Sequence, residues 1–144
     1  HDHGKKRKVF QMVLGNTQYP QVCLAKSGKL GGRVNEVYRH EFGSLLDVKK
    51  EPEFLALTED QQDLVLHLIA AHHGRARPHF PADEAFDPEG TPDKDSRVAS
   101  EVPRRFGRLQ RKYGRWGLAY LESLLRAADW SASAQPSQFL EDAK

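Results

Sequence analysis

The sequence predicts an all-α protein, on the strength of two observations. Apolar residues recur at the three- and four-residue spacing of amphipathic helices, whereas alternating strand patterns are scarce. A chain of 144 residues with 38% hydrophobic residues is also the size of one ordinary domain with a single core. We therefore expect one helical bundle that covers residues 1–144.

Two helices are predicted before residue 58. Residues 3–14 combine a basic run with apolar residues and predict a short helix. Residues 15–32 contain Gly, Pro, Asn and Ser at intervals, which indicates a loop or short irregular structure. Apolar positions between residues 34 and 48 then predict a second helix, interrupted or bent near Gly43.

The clearest predicted helix begins at Thr58. Thr58 followed by Gln61 is a capping-box pattern, and Gly74 provides a stop. Between them the segment is apolar on nearly every side, as a central buried helix requires. We expect this helix to form the core of the domain.

The composition changes sharply after this helix. Residues 78–96 contain four prolines and six acids against one lysine, which predicts a long, disordered loop. A basic helix is expected over residues 97–112, notched at Pro103, and a last helix over residues 116–130. No internal repeat, Rossmann glycine pattern or P-loop is present in the sequence.

Charge and cysteine content limit the function classes only weakly. The net charge of +2 does not mark a nucleic-acid binder, so local charge must support any such prediction. The single cysteine, Cys23, rules out an internal disulfide and suits a reducing cytoplasm, and no apolar run approaches membrane-spanning length. We expect a cytoplasmic protein without a membrane partner. The start at His1, without Met, suggests a piece of a longer chain.

Residues suited to metal coordination stand at four places in the sequence. They are His1-Asp2, His40, His72-His73 and Asp129. Imidazole and carboxylate ligands together suit Mn, Fe, Co, Ni or Mg-like ions, and the lack of cysteine ligands argues against a structural zinc site.

Helical spacing supports their convergence. His72 continues the apolar stripe of Val65 and Ile69 at the end of the predicted central helix. Asp129 aligns with Leu118 and Leu125, so its carboxylate is expected to point inward, which is costly unless a cation or donor meets it.

Each of these residues has a plainer interpretation when it is considered alone. His1 and Asp2 would form a solvated chain start, and His72 and His73 would favour the helix dipole. His40 would be a surface or satisfied core histidine, and Asp129 would cap the helix or pair with Arg126. The remaining histidines are interpreted as exposed and outside any site: His3, His67 and His79.

The basic segment between residues 97 and 115 is the second candidate site. Its cations are Arg97, Arg104, Arg105, Arg108, Arg111, Lys112 and Arg115, which oppose only Glu101 within the segment. Interleaved Phe106, Tyr113 and Trp116 give a composition suited to phosphate contacts and base stacking. A solvated helix face is an equally good interpretation.

The metal-ligand residues form four motifs of a known family. In chain order they are His1-Asp2-His3-Gly4-Lys5, Tyr38-Arg39-His40-Glu41, His72-His73-Gly74 and Asp129-Trp130-Ser131. Their order and spacing resemble the HD nuclease domain of the CRISPR-associated type I helicase-nuclease, a branch of the HD phosphohydrolase superfamily. The resemblance covers nearly the whole chain and implies an HD-domain helical bundle with a long loop rich in proline and acids.

The resemblance implies a site for two divalent metal ions bridged by Asp2. One ion would take Asp2 with His40, His72 and His73. The other would take His1, Asp2, Asp129 and a further histidine, which in the family lies upstream of the His-Asp doublet. Lys5, four residues from His1, would place an ammonium near the charge that develops on the phosphate. Asp2 and Lys5 are thus the expected catalytic residues.

The implied activity is metal-dependent cleavage of single-stranded DNA in type I CRISPR interference. The implied partners are a helicase domain or subunit and a guide-RNA surveillance complex. An alternative is an HD phosphohydrolase that acts on nucleotides or other small phosphate esters, and a third is a site that binds metal or DNA without cleavage. The arginine-rich segment favours an open groove over the closed pocket of a nucleotide enzyme.

Overall fold

A computed structural model describes residues 1–26 and 38–134, and within these ranges the protein is helical and has no strand. The predicted all-α class is therefore confirmed. The first predicted helix is divided into a 3-10 helix, His3–Lys6, and helix α1, Lys8–Val13. Arg7 has an extended backbone between them. Residues 15–26 are turns and bends, as predicted, and the rest of that predicted loop lies outside the described residues.

Helix α2, His40–Asp47, is shorter and more deeply buried than the sequence suggested. Tyr38 and Arg39 precede it without helical structure, and residues 34–37 of the predicted helix lie outside the described residues. The predicted bend at Gly43 is wrong, because the helix passes through this residue without interruption. Gly43 instead permits a close approach: a Cβ there would stand 2.2 Å from the hydroxyl oxygen of Tyr38.

A 3-10 helix, Val48–Lys50, and the short helix α3, Pro52–Leu55, connect α2 to α4, Glu59–Ala71. Both hydrogen bonds of the capping box between Thr58 and Gln61 are present. Gly74 has a φ of 79°, consistent with the predicted stop. Helix α4 is less central than predicted, because Leu64, Val65 and Leu68 are only half-buried, whereas α2 is buried from His40 to Leu46.

The acidic segment after α4 is folded, so the prediction of disorder is wrong. Glu84 and Asp87 are buried, and each pairs with an arginine from elsewhere in the chain. Arg39 donates to Glu84 at 2.7 Å, and Arg7 donates to Asp87 at 2.8 Å. The acids that suggested disorder are neutralised by partners about 45 and 80 residues away in sequence.

Helix α5, Pro92–Ala134, begins four residues after Pro88, inside the segment predicted as a loop. Pro92 is compatible with this start because the first turn of a helix does not need its N–H. Pro103 lies within the helix, and the real interruption is Gly114, with φ 70° and ψ 169°. The predicted separation between a basic helix and a last helix is therefore located at this glycine.

The hydrophobic core lies where α2 packs on α4 and α4 packs on α5. Its most buried members include Phe42, Leu45, Ile69, Ala70 and Val102. This packing brings the beginning of α2, the end of α4 and the last part of α5 to the same end of the bundle. In the part of the chain that is described, no helix has both the length and the apolar character needed to cross a bilayer.

Candidate metal centre

The first 3-10 helix is pressed against the beginning of α2, and Gly4 makes this possible. A Cβ on Gly4 would stand 2.0 Å from the backbone oxygen of His40, which is impossible without movement of the backbone. The N–H of Gly4 donates to Ser44 Oγ at 2.8 Å, and the Ser44 hydroxyl donates to the His40 carbonyl at 2.8 Å. The Tyr38 hydroxyl donates to the Gly4 carbonyl. These contacts fix Asp2 beside His40.

The two carboxylate oxygens of Asp2 have different surroundings. Oδ2 accepts a hydrogen bond from the Lys5 ammonium at 2.7 Å. Oδ1 lies 3.5 Å from Nε2 of His1, 3.4 Å from Nε2 of His40 and 3.9 Å from Nε2 of His72. Burial opposes ionisation of Asp2, but its contacts with His40 and Lys5 outweigh burial and hold its pKa well below the usual range. Asp2 is therefore a carboxylate with one oxygen facing three imidazoles.

Three buried polar atoms at this point have no hydrogen-bond partner among the described residues: Asp2 Oδ1, His40 Nε2 and His72 Nε2. Buried polar groups are normally paired, because an unpaired one costs on the order of 1–3 kcal/mol. Here the unpaired atoms face one another, and all three are lone-pair donors of the kind that divalent transition ions prefer. A cation between them would satisfy all three.

The ring of His72 is oriented as a metal ligand requires. Its Nδ1 lies 2.6 Å from the backbone oxygen of Ile69, and since a carbonyl can only accept, Nδ1 carries the proton. Nε2 is then a free lone pair aimed at Asp2. Burial lowers the pKa of His72, and the neighbouring His73 lowers it further against the Ile69 hydrogen bond, so the ring favours its neutral, ligating form.

Glu41 is a functional candidate that the sequence interpretation missed. Its buried carboxylate lies 3.4 Å from Nδ1 of His40, on the side of the ring opposite the nitrogen that faces Asp2. A carboxylate in this position orients a ligating histidine and increases its basicity. The sequence signal is the His40-Glu41 doublet at the start of a helix, in which only His40 is a predicted ligand.

All six residues predicted as metal ligands lie together. Donor atoms of His40, His72 and His73 are within 4.8 Å of one another, and so are those of His1, Asp2 and His72. Asp129 reaches the group through His1, whose Nε2 lies 3.1 Å from Asp129 Oδ1. His72 belongs to both triads, although the resemblance assigned it to one ion.

Two neighbouring residues hold the ligands in place. Lys5 contacts Asp2 rather than open solvent, as described above. Arg126 does not pair with Asp129; its Nε lies 3.3 Å from the backbone oxygen of His72. The last part of α5 is therefore attached directly to the end of α4 beside the histidines.

The predicted DNA-binding residues separate into two groups. Three of them face acids of α4: Arg105 is buried against Asp63, Arg108 pairs with Asp63, and Lys112 pairs with Asp60. These acids are distant in sequence, so the basic segment has more opposing charge than Glu101 alone. The other three predicted residues are exposed and have no ion pair with any described residue: Arg104, Arg111 and Arg115.

The prediction that His67 is an exposed histidine is wrong. Its side chain is fully buried, and Nε2 lies 2.7 Å from Glu122 Oε1 in the last part of α5. Arg77 Nε approaches the same carboxylate oxygen at 3.2 Å. The partner is 55 residues away, so no local pattern indicates this contact. His79 is exposed as expected, and His3 is half-buried near Glu51.

Comparison of the chain with family models, with curated proteins and with solved structures finds no match.

Proposed function

We propose that this chain is a metal-dependent phosphodiesterase that cleaves single-stranded DNA. The observation that supports it most is the convergence of Asp2 Oδ1, His40 Nε2 and His72 Nε2, three buried atoms without a hydrogen-bond partner in residues 1–26 and 38–134. They occupy the positions at which the HD nuclease motifs place a metal centre. Mixed imidazole and carboxylate donors suit Mn, Fe, Co, Ni or Mg.

The candidate ligands form two groups, one for each of two such ions. His40, His72 and His73 provide one group of ligands, and His1, Asp2 and His72, with Asp129 adjacent, provide the other. Two divalent ions would supply an activated water and charge stabilisation of the leaving oxygen. Lys5 holds Asp2 ionised and oriented, and its ammonium would lie near the charge that develops on the phosphate.

The exposed cations of α5 offer contacts for a nucleic-acid strand. Arg111 and Arg115 flank the interruption at Gly114, and Trp116, which is 88% exposed, follows directly. Arginines beside an exposed aromatic ring suit backbone phosphates and stacked bases of a single strand. By the resemblance, the strand would be supplied by a helicase domain or subunit that a guide-RNA surveillance complex recruits.

The test is cleavage of a labelled single-stranded oligonucleotide by the whole chain with Mn²⁺. Asp2→Ala should abolish cleavage and lower the metal content measured by elemental analysis, because this carboxylate faces both groups of ligands. Asp83→Ala removes an exposed aspartate of the loop and serves as the matched control, with unchanged activity and metal content.

Three outcomes would contradict the proposal. Cleavage that persists in EDTA would exclude a required metal. Cleavage that survives Asp2→Ala would exclude this site. Hydrolysis of nucleotides with no cleavage of the oligonucleotide would replace the DNA strand with a small phosphate ester as the substrate.

A further inference from the structure

An open pocket of about 340 Å³ lies between the 3-10 helix Val48–Lys50 and the first half of α5. It is lined by Lys49, Arg97, Val98, Ser100, Glu101 and Arg104. Three of these side chains are cations contributed by two separate elements. The pocket is distant from the metal centre: Lys49 lies beyond the end of α2, about 13 Å farther along the helix direction than His40 at its start.

The side chains that line the pocket carry more positive than negative charge: three cations and one acid. Within residues 1–26 and 38–134, the side chains of Lys49, Arg97 and Arg104 make no hydrogen bond and no ion pair. The single acid of the lining, Glu101, accepts a hydrogen bond from Arg108 at 2.6 Å, so its charge is already matched from outside the pocket. Arg105, Arg108 and Lys112 of α5 pair with acids of α4, whereas Arg97 and Arg104 do not pair with any described acid.

Lys49 shows the effect of this surplus on a single group. Partial burial lowers the pKa of its ammonium, and the positive charge of the nearby Arg105 lowers it further, against the opposing effect of Glu101. Buried Arg105 therefore adds to the positive field behind the pocket, although its own guanidinium faces Asp63. An anion in the pocket would relieve the repulsion among these like charges.

We propose that this pocket binds a phosphate group at a site separate from the metal centre. Arg97 and Arg104, seven residues apart on one face of α5, offer two guanidinium forks, and Lys49 offers a point charge from the opposite wall. Ser100 lies between them, and its hydroxyl donates to the backbone carbonyl of Arg97 at 3.0 Å. This combination of planar and point-charge donors is typical of phosphate recognition. The phosphate would come either from the backbone of a nucleic-acid strand or from a free polyphosphate.

The test uses the full chain in EDTA, so that phosphate cannot bind through metal. Tripolyphosphate is titrated by calorimetry against the wild type, Arg97→Ala/Arg104→Ala and Lys49→Ala. Losing charge-assisted hydrogen bonds should weaken binding by about tenfold or more in each variant. Lys6→Ala/Lys8→Ala removes two exposed lysines outside the pocket and should retain wild-type affinity.

The result also distinguishes the two sources of phosphate. Tripolyphosphate that displaces a labelled oligothymidylate from the wild type, but not from Arg97→Ala/Arg104→Ala, would identify the strand backbone as the ligand. Binding without displacement would identify a free polyphosphate. The proposal is overturned if tripolyphosphate does not bind saturably, or if the pocket variants and the control lose affinity equally. Metal content of the variants, measured separately, should stay unchanged and so reports independently on the metal centre.

Discussion

At the scale of single residues, the candidate metal site depends on side chains that use one polar atom in a hydrogen bond and leave another polar atom available for a metal. Asp2 gives one oxygen to Lys5 and keeps the other for the histidines. His72 gives Nδ1 to the Ile69 carbonyl and keeps Nε2 free. In both side chains, the hydrogen bond made by one polar atom fixes the orientation of the other polar atom, which faces the candidate metal site. The same logic applies to His40 and its neighbour Glu41.

Glu41→Gln should therefore weaken metal binding without removing a ligand. The amide retains the shape of the side chain but loses the charge beside His40 Nδ1, and loss of such a supporting partner typically costs about 10–100-fold in metal affinity. The measurement is Mn²⁺ affinity by competition with a chelator. Glu53→Gln, at an exposed glutamate of α3, is the control. Equal affinities for the two variants would show that Glu41 does not support His40.

The convergence of the candidate ligands was predictable from the sequence, whereas the long-range contacts that hold their helices were not. His72 and Asp129 stand at helical spacing from apolar residues, so their inward direction follows from the period of the helix. The burial of His67 depends on a contact that no local pattern records, because its partner Glu122 is 55 residues away. Arg105 was predicted at a DNA surface for the same reason, since Asp63 belongs to another helix.

At the scale of secondary-structure elements, two contacts align the helices that carry the ligands. The first is the close approach of the 3-10 helix His3–Lys6 to α2, which depends on Gly4. The second is the buried contact between His67 of α4 and Glu122 of α5. Neither contact is made by the side chain of a candidate ligand, yet each positions a segment that carries candidate ligands.

Gly4→Ala should force the first contact apart. The new Cβ would overlap the His40 carbonyl, so the 3-10 helix and α2 must separate, which should lower the free energy of unfolding by about 1–3 kcal/mol and weaken Mn²⁺ binding. Gly107→Ala is the control, since a Cβ there meets nothing closer than 3.7 Å. Within a helix that change should be neutral or stabilising. Chemical denaturation would measure the free energy of unfolding of both variants. A Gly4→Ala protein as stable as Gly107→Ala would contradict the prediction.

The contact between His67 and Glu122 should show coupling in a double-mutant cycle. Glu122→Ala leaves buried His67 Nε2 without its partner, and His67→Ala leaves Glu122 with Arg77 alone. The double variant should therefore be less damaged than the sum of the two, by about 0.5–3 kcal/mol. The exposed ion pair between Lys112 and Asp60 joins the same two helices and should show weaker coupling, because water screens it. Purely additive losses at His67 and Glu122 would mean that the buried contact does not join the helices.

At the scale of the whole molecule, the sequence predicted the class of fold better than the packing. Periodicity gave the helices, the capping box of α4 and the separation near Gly114. Composition predicted that the acidic segment is a disordered loop. It shows the charge of Glu84 and Asp87, but it does not show that Arg39 and Arg7 neutralise this charge. Periodicity also made α4 the centre of the domain, while α2 is buried more completely because segments distant in sequence cover it.

The contact between His1 and Asp129 joins two residues 128 positions apart, and this has a kinetic consequence. The complete set of ligands cannot form until the last part of α5 has docked, so it should be absent from the transition state for folding. Mn²⁺ at 100 times its dissociation constant should then stabilise the native chain by about 2.7 kcal/mol, expressed as unfolding that is about 100-fold slower, with refolding unchanged. Stopped-flow measurements on the wild type and on Asp2→Ala would test this. Refolding that accelerates with Mn²⁺ would instead show that the ligands assemble early, before the chain has closed on itself.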